Sequence, residues 1–326
     1  GCTFNGPSTN HRCVPLILCV KSTATSSTKT PTSSVQINGL VAYYPFNGDV
    51  IDATGNGANG TPFNVSFGPD RFGAANSVVV LAGNSTSSVD IASTNLNLPP
   101  DFTLSAWIKF SANAGTENPR IISASGYAFD TETINGTRQV AFGNYGFGNV
   151  ATVYSSNTVP AAVWTHVVAV RGTTRMSLYV NGVLQGTTPA AFQLDYTRGL
   201  PQIGGNFLSA ADNFAGSLDD LRVYNRALSS NEVAQLYVVE SLPPGSPFVE
   251  QSPQNVSVLR GNSATFSVNV SGAAPFTYQW RFNGVNLPGA NNPVLTLNNV
   301  QTNQAGNYSV RIDNAAGFTV SSNAAL

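Results

Sequence analysis

Charge is what this chain has least of. Only 10% of its 326 residues are Asp, Glu, Lys or Arg, against roughly 25% in an ordinary soluble domain. Fifteen basic and sixteen acidic residues leave a net charge of −1, so there is no electrostatic footprint for nucleic acid or an anionic membrane. Lysine occurs three times, histidine twice and methionine once. Cysteine is confined to Cys2, Cys13 and Cys19, so nothing further along can be disulfide-stapled. An odd count allows one local bridge plus a free thiol, or an intermolecular bond. The longest apolar run, Cys13-Val-Pro-Leu-Ile-Leu-Cys-Val20, is far shorter than the roughly 20 residues of a membrane helix. No membrane span is expected.

Ser, Thr, Asn and Gly take the place of charge, a composition that suits a secreted β-protein better than a cytosolic enzyme. Residues 1–36 read as a cysteine-bearing arm ending in a Ser/Thr-rich tract that buries too little to offset ordering entropy, hence a flexible linker. A first domain is expected over residues 37–238 and a second over 248–326. Leu242-Pro-Pro-Gly245 stiffens the connection at 239–247. Short alternating segments such as Phe102-Thr-Leu-Ser-Ala-Trp-Ile-Lys-Phe110 and Trp164-Thr-His-Val-Val-Ala-Val170 predict strands, and Asn181-Gly182 predicts a two-residue hairpin. Ser229 followed by Glu232 forms a capping box ahead of an apolar stripe of Val233, Leu236 and Tyr237, so one helix closes the domain. Many short strands with one late helix make an all-β sandwich.

Five motifs occur in a fixed order: Gly39-Leu-Val-Ala-Tyr-Tyr-Pro-Phe-Asn-Gly48, Asp101-Phe-Thr-Leu-Ser-Ala-Trp-Ile-Lys109, Trp164-Thr-His-Val-Val168, Leu178-Tyr-Val-Asn-Gly182 and the closing segment at 214–237. In that order they resemble a laminin-G-like, concanavalin A-like jelly roll. The second domain resembles a bacterial immunoglobulin-like module. Tyr278-Gln-Trp-Arg-Phe282 stands for its core-tryptophan strand and Gln304-Ala-Gly-Asn-Tyr-Ser-Val310 for its tyrosine corner. Val268 and Val310 occupy the two positions where that family has its inter-sheet cysteines. The last strand stops at Leu326, earlier than such modules usually do, which suggests a piece of a longer surface protein.

No chemistry of catalysis is legible. Hydrolases with the resembled fold carry a Glu-x-Asp-x-x-Glu strand, and no such run occurs among the five glutamates. Asp219-Asp220 is the one paired acid, and neighbours on a strand are expected to diverge to opposite faces. There is no Gly-x-Ser-x-Gly elbow, no Cys/His cluster and no phosphate loop. His166 is expected to be a packed structural histidine. The resemblance implies a structural calcium where the first and last strands meet, which makes Asp52, Asn56, Asp219 and Asp220 its candidate ligands; plain turn chemistry at Asp52 and Asn56 is the alternative. For glycan stacking the candidates are Tyr127, Asp130, Tyr145 and Phe147, set among glycines and asparagines. The expected role is adhesion or carbohydrate binding outside the cell, with a glycan or cell-surface protein as partner. A fibre subunit self-associating through the arm, and an accessory module of a polysaccharide-degrading enzyme, are the other readings.

Overall fold

The computed structural model describes residues 29, 31, 33–111, 118–146, 149–190, 194, 199–206 and 212–326, with the backbone alone at 144–146 and 149–150. The cysteines, Phe147 and most of the arm expected as a route of self-association lie outside the described residues.

The first domain is a sandwich of two antiparallel sheets. The first sheet runs β13 (Val183–Pro189), β12 (Arg175–Val180), β11 (Thr165–Arg171), β6 (Phe102–Phe110), β15 (Ala215–Tyr224), β4 (Val78–Ala82) and β3 (Val65–Gly68), with β1 (Leu40–Tyr44) also paired to β15. The second runs β10 (Asn149–Thr158), β9 (Thr137–Gly146), β8 (Tyr127–Ile134), β7 (Arg120–Ala124), β14 (Gln202–Ile203), β5 (Ser88–Ile91) and β2 (Gly60–Phe63). Their alternate residues meet in one core that includes Leu104, Ile108, Phe129, Phe142 and Leu218. Strand period fixes this arrangement, because a one-residue slip would turn each apolar set to the other face.

The two outer faces differ. The first sheet is covered by helix α2 (Ser230–Glu240), whose capping box forms as the sequence predicts. Val233 and Leu236 are fully buried against Val168, Val170 and Tyr179, each worth about 1.5–3 kcal/mol of apolar burial. A short helix α1 (Ser34–Ile37), capped by Ser33, adds Val35 to the same cluster. The end of the Ser/Thr tract is therefore docked on the domain, where a free linker was expected: Lys29, Ser33, Val35 and Gln36 are all buried.

The second domain has the expected immunoglobulin core. Trp280 pairs with Val310 across the sheet and packs with Phe266 and Ile312, while Val268 lines the same cluster. Packing thus stands where the disulfide would. The Tyr308 hydroxyl donates to the Gln304 carbonyl at 2.8 Å, closing the tyrosine corner.

Two glycines separate conformational strain from collision. Gly136 turns the β8–β9 hairpin at φ +77° with open space where a Cβ would sit, whereas a Cβ on Gly216 (φ +146°) would lie 2.2 Å from the Lys109 carbonyl oxygen. Gly136→Ala should cost about 1–2 kcal/mol, the strain alone. Gly216→Ala should cost well beyond that, because the opposing atom is backbone of a central strand. Urea unfolding of the two variants measures the difference.

Candidate functional site

Strand β15 changes neighbour half-way along. Ala215, Gly216, Ser217 and Leu218 pair with β4, and the stretch from Leu221 to Tyr224 pairs with β1. Asp219 and Asp220 sit at the change. On the other side the register against β6 shifts from Asp219↔Trp107 to Arg222↔Ser105, one residue too many on β15, and Asp220 takes φ +46°. This is a β-bulge, which re-aims side chains. Both carboxylates consequently reach one guanidinium: Arg71 Nη1 is 2.6 Å from Asp219 Oδ2, and Nη2 is 2.8 Å from Asp220 Oδ2. The expectation of divergent neighbours fails because it assumes an unbroken pleat.

Further cations complete the cluster. Lys29 reaches in from the arm and pairs with Asp219. Arg222 contacts Glu240 at 2.5 Å and lies over the Tyr43 ring, whose hydroxyl donates to Asp220 at 2.5 Å. Glu240, the last residue of α2, also accepts from Trp107 Nε1 at 3.0 Å. His166 is buried beside it, with Nε2 2.8 Å from the Ser105 hydroxyl and its ring against Trp107 and Tyr237. The histidine is packed, as expected. Burial, and then the neighbouring Asp220 charge, push the Asp219 carboxyl up to about 7. At Asp220 burial again opposes ionisation, but Lys29, Arg71 and Arg222 outweigh it and hold the carboxyl below its ordinary range.

A calcium ion does not fit the four residues named for it as they stand. Asp219 and Asp220 are neutralised by Lys29, Arg71 and Arg222. Asp52 is 2% exposed and occupied with turn bonds, accepting from Tyr43 N at 3.0 Å, Thr54 N at 3.0 Å and the Thr54 hydroxyl at 2.7 Å. Asn56 is exposed and donates its amide to the Val41 carbonyl at 3.1 Å. Among the described residues no three His, Cys, Asp or Glu side chains gather to hold a metal. Turn chemistry, the alternative reading, accounts for Asp52 and Asn56.

The outer face of the second sheet is a different kind of surface. Val89 and Ile91 point into the core, so Ser88 and Asp90 face outward. Gln202 lies opposite Asp90 and donates to its Oδ1 at 2.9 Å, and the Ser88 hydroxyl donates to the same oxygen at 3.1 Å. Phe63, opposite Ser88 on edge strand β2, is 47% exposed. Across the sheet follow Ser123, Ala128 and the buried pair of Arg120 with Asp130. Among the described residues, Asp130 Oδ1 and Arg120 Nε have no hydrogen-bond partner. Of the residues chosen from sequence, Asp130 belongs to this face. Tyr127 does not: it is fully buried in the core with its ring against Phe102, because it shares the inward register of Phe129. Tyr145 pairs with Val150 on the β9–β10 ladder. Phe63, Asp90, Gln202 and Arg120 escaped sequence reading, since each is a single residue in a strand.

The ion cluster should show in the pH dependence of stability. Asp220 and Glu240 are held below their ordinary range, so their contribution is present above it and is lost as pH falls into the acid. Asp219 is raised, so its contribution runs the other way and declines as pH climbs from 3.8 to about 7. Thermal midpoints across pH should therefore fall on both sides of a mildly acidic maximum. Asp219→Asn should flatten the neutral-side decline and leave the acid limb.

Residues 83–234 match the family model described as the concanavalin A-like lectin/glucanases superfamily, and residues 246–314 match the immunoglobulin domain. None of the curated proteins compared with the chain matches it. Among solved structures it is similar to domain 4 of AbnA, an extracellular GH43 arabinanase of Geobacillus stearothermophilus in complex with arabinotriose. The identity is 20% and the TM-score 0.51, over 64% of this chain and all of that one. It is also similar to the binding domain of Paraclostridial Mosquitocidal Protein 1, at 17% identity and TM-score 0.51, over 85% of this chain and 76% of that one. These likenesses show the fold. The chain joins a domain of the concanavalin A-like lectin/glucanase superfamily to a C-terminal immunoglobulin domain.

Proposed function

We propose that the chain is a non-catalytic carbohydrate-binding segment of a secreted or surface protein, with the sugar lying on the outer face of the second sheet. The observation that carries this reading is the group formed by Phe63, Asp90, Gln202 and Ser88. An exposed ring offers a stacking platform for the C–H face of a pyranose or furanose. Beside it stands a carboxylate oriented by two donors, with a second oxygen to accept from sugar hydroxyls. Asp130 lies on the same face but is buried against Arg120, and Tyr145, on β9 of that sheet, is the second candidate. The arabinotriose bound to the arabinanase domain supports this ligand class, as it does the accessory role beside a polysaccharide-degrading domain. Adhesion by display of this face, with the immunoglobulin domain as spacer, is the corresponding reading for a surface protein.

The face does not present the geometry of glycoside hydrolysis. Asp90 and Asp130 are separated by three interstrand steps, from β5 through β14 and β7 to β8. The strand spacing alone makes that about 14 Å, and the two-residue offset of Asp130 along β8 adds to it, so the pair lies beyond the roughly 5–9.5 Å that paired carboxyls span in glycosidases.

Calorimetry against arabino-oligosaccharides, after a glycan array to choose the best binder, tests the reading. Phe63→Ala and Asp90→Asn should each weaken binding by about tenfold or more, or about 1.4 kcal/mol, with the melting temperature within a degree or two of wild type. Tyr145→Ala should weaken it less. A wild-type chain that binds no glycan, or binding indifferent to both Phe63 and Asp90, overturns the proposal.

A further inference from the structure

The Lys29 nitrogen touches Asp219 Oδ1, and the two side chains are only 4% and 0% exposed. Lysine is almost never buried so deeply unless partners hold it. Here the Ser77 carbonyl accepts from the nitrogen at 2.8 Å and the Pro45 carbonyl at 3.5 Å. Pro45 comes directly after β1 and Ser77 directly before β4, so main chain of both strands beside β15 fixes the nitrogen against Asp219. An amine that touches a carboxyl oxygen is within reach of the carbon that bears it, the close approach that bond formation needs.

Two further groups supply the chemistry of acyl transfer. Arg71 Nη1 lies 2.6 Å from the other carboxyl oxygen, Asp219 Oδ2, where a guanidinium polarises the carbonyl and stabilises an oxyanion. Asp70 Oδ2 stands 3.7 Å from the Lys29 nitrogen. Its side chain is 1% exposed, and among the described residues that oxygen has no hydrogen-bond partner. Asp70 Oδ1 is pinned by Phe72 N and Ala74 N, both at 2.9 Å. A buried carboxylate with one unbonded oxygen beside an amine is placed to carry protons. Burial and the Asp220 charge push Asp219 up to about 7, so its uncharged acid, the electrophilic form, is accessible at neutral pH.

We propose that Lys29 and Asp219 are joined side chain to side chain by an amide bond that the folded domain forms on itself. Asp70 relays a proton from the ammonium to Asp219 Oδ1. The neutral amine attacks Cγ, and the carbonyl electron pair moves to Oδ2, against Arg71. A second proton passes from nitrogen through Asp70 to Oδ1, which leaves as water while the carbonyl re-forms. One ammonium and one carboxylate become one amide and one water: a C–N bond forms, a C–O bond breaks, and no co-reactant is used. The product stays satisfied, since the hydrogen left on nitrogen serves the Ser77 carbonyl and the amide oxygen keeps Arg71. Exclusion of water protects the amide from hydrolysis. The link spans 190 positions and does for a domain without cysteine what a disulfide does elsewhere. The ion pair is the chain before linkage, and the pH dependence described above belongs to that state. Once Asp219 is an amide it cannot titrate, and the neutral-side decline of stability is absent.

Mass spectrometry of the intact, denatured full chain reads the bond directly. Wild type should be lighter than its sequence by one water. Trypsin should fail to cut after Lys29 and should release a branched species joining residues 22–71 to residues 199–222. Lys29→Arg keeps the positive charge but supplies no amine, so it should have its full sequence mass and melt below wild type. Asp70→Asn, which retains both Lys29 and Asp219, should also keep its full sequence mass. A wild-type chain of full sequence mass that trypsin cuts after Lys29 overturns the proposal. A lost water traced to any pair other than Lys29 and Asp219 overturns it equally, and linkage that survives Asp70→Asn overturns the relay assigned to Asp70.

Discussion

The bulge at Asp219 and Asp220 is the constraint on which the first domain turns. A central strand that must pair with β4 along one half and β1 along the other leaves a seam beside it, and the extra residue of the bulge places two carboxylates in that seam. Buried carboxylates side by side are costly unless cations meet them. Arg71, Lys29 and Arg222 arrive from a turn, the arm and the same strand respectively, so the requirement of one strand draws three other parts of the chain to it. The charge-poor composition acquires a meaning here. Seven of the 31 charged residues (Lys29, Asp70, Arg71, Asp219, Asp220, Arg222 and Glu240) are gathered in one internal network. A substantial share of the little charge in this protein thus serves cohesion.

The two faces of the sandwich divide its labour. The first sheet is roofed by α2 and α1 and sealed by rings stacked around Trp107. The second keeps small and polar residues outward, with a half-exposed ring at its edge. A roof of apolar side chains closes the first sheet, whereas at one end of the second Ser88, Asp90 and Gln202 stay partly exposed and further across Ser123, Ala128 and Asp130 are buried. Direction along each strand decides membership, which is why Asp130 and its near neighbour Tyr127 serve opposite sides.

Much of the architecture was legible because it depends on local chemistry. The Ser229–Glu232 box, the Asn181-Gly182 turn with both residues at positive φ, and the Trp280–Tyr308 pattern each require particular residues at fixed spacing. The sites were less legible. Strand alternation correctly made His166 a packed residue, but it gave the wrong geometry for Asp219 and Asp220, since a bulge is a property of two neighbouring strands rather than of one segment. Lys29 looked like part of a solvated tract because its partners, Asp70 and Asp219, lie 41 and 190 positions away. Phe63 and Asp90 become a pair only through the register that sets β2 against β5. Trp164, read as the first residue of a strand, is half-exposed with Lys109 over its ring, because β11 begins one residue later.

Glu240 ends α2 and is followed at once by the proline-stiffened connection to the second domain. Its side chain holds Trp107 and Arg222, and its carbonyl accepts two hydrogen bonds from Arg71, at 3.0 and 2.7 Å. Any tension transmitted along the polypeptide from the immunoglobulin domain must therefore enter the jelly roll at this residue. It meets a clamp anchored to β15, in the middle of the first sheet, before it can peel the helix from its end. Such a connection is loaded along β15 in shear rather than unzipped from the end of the helix.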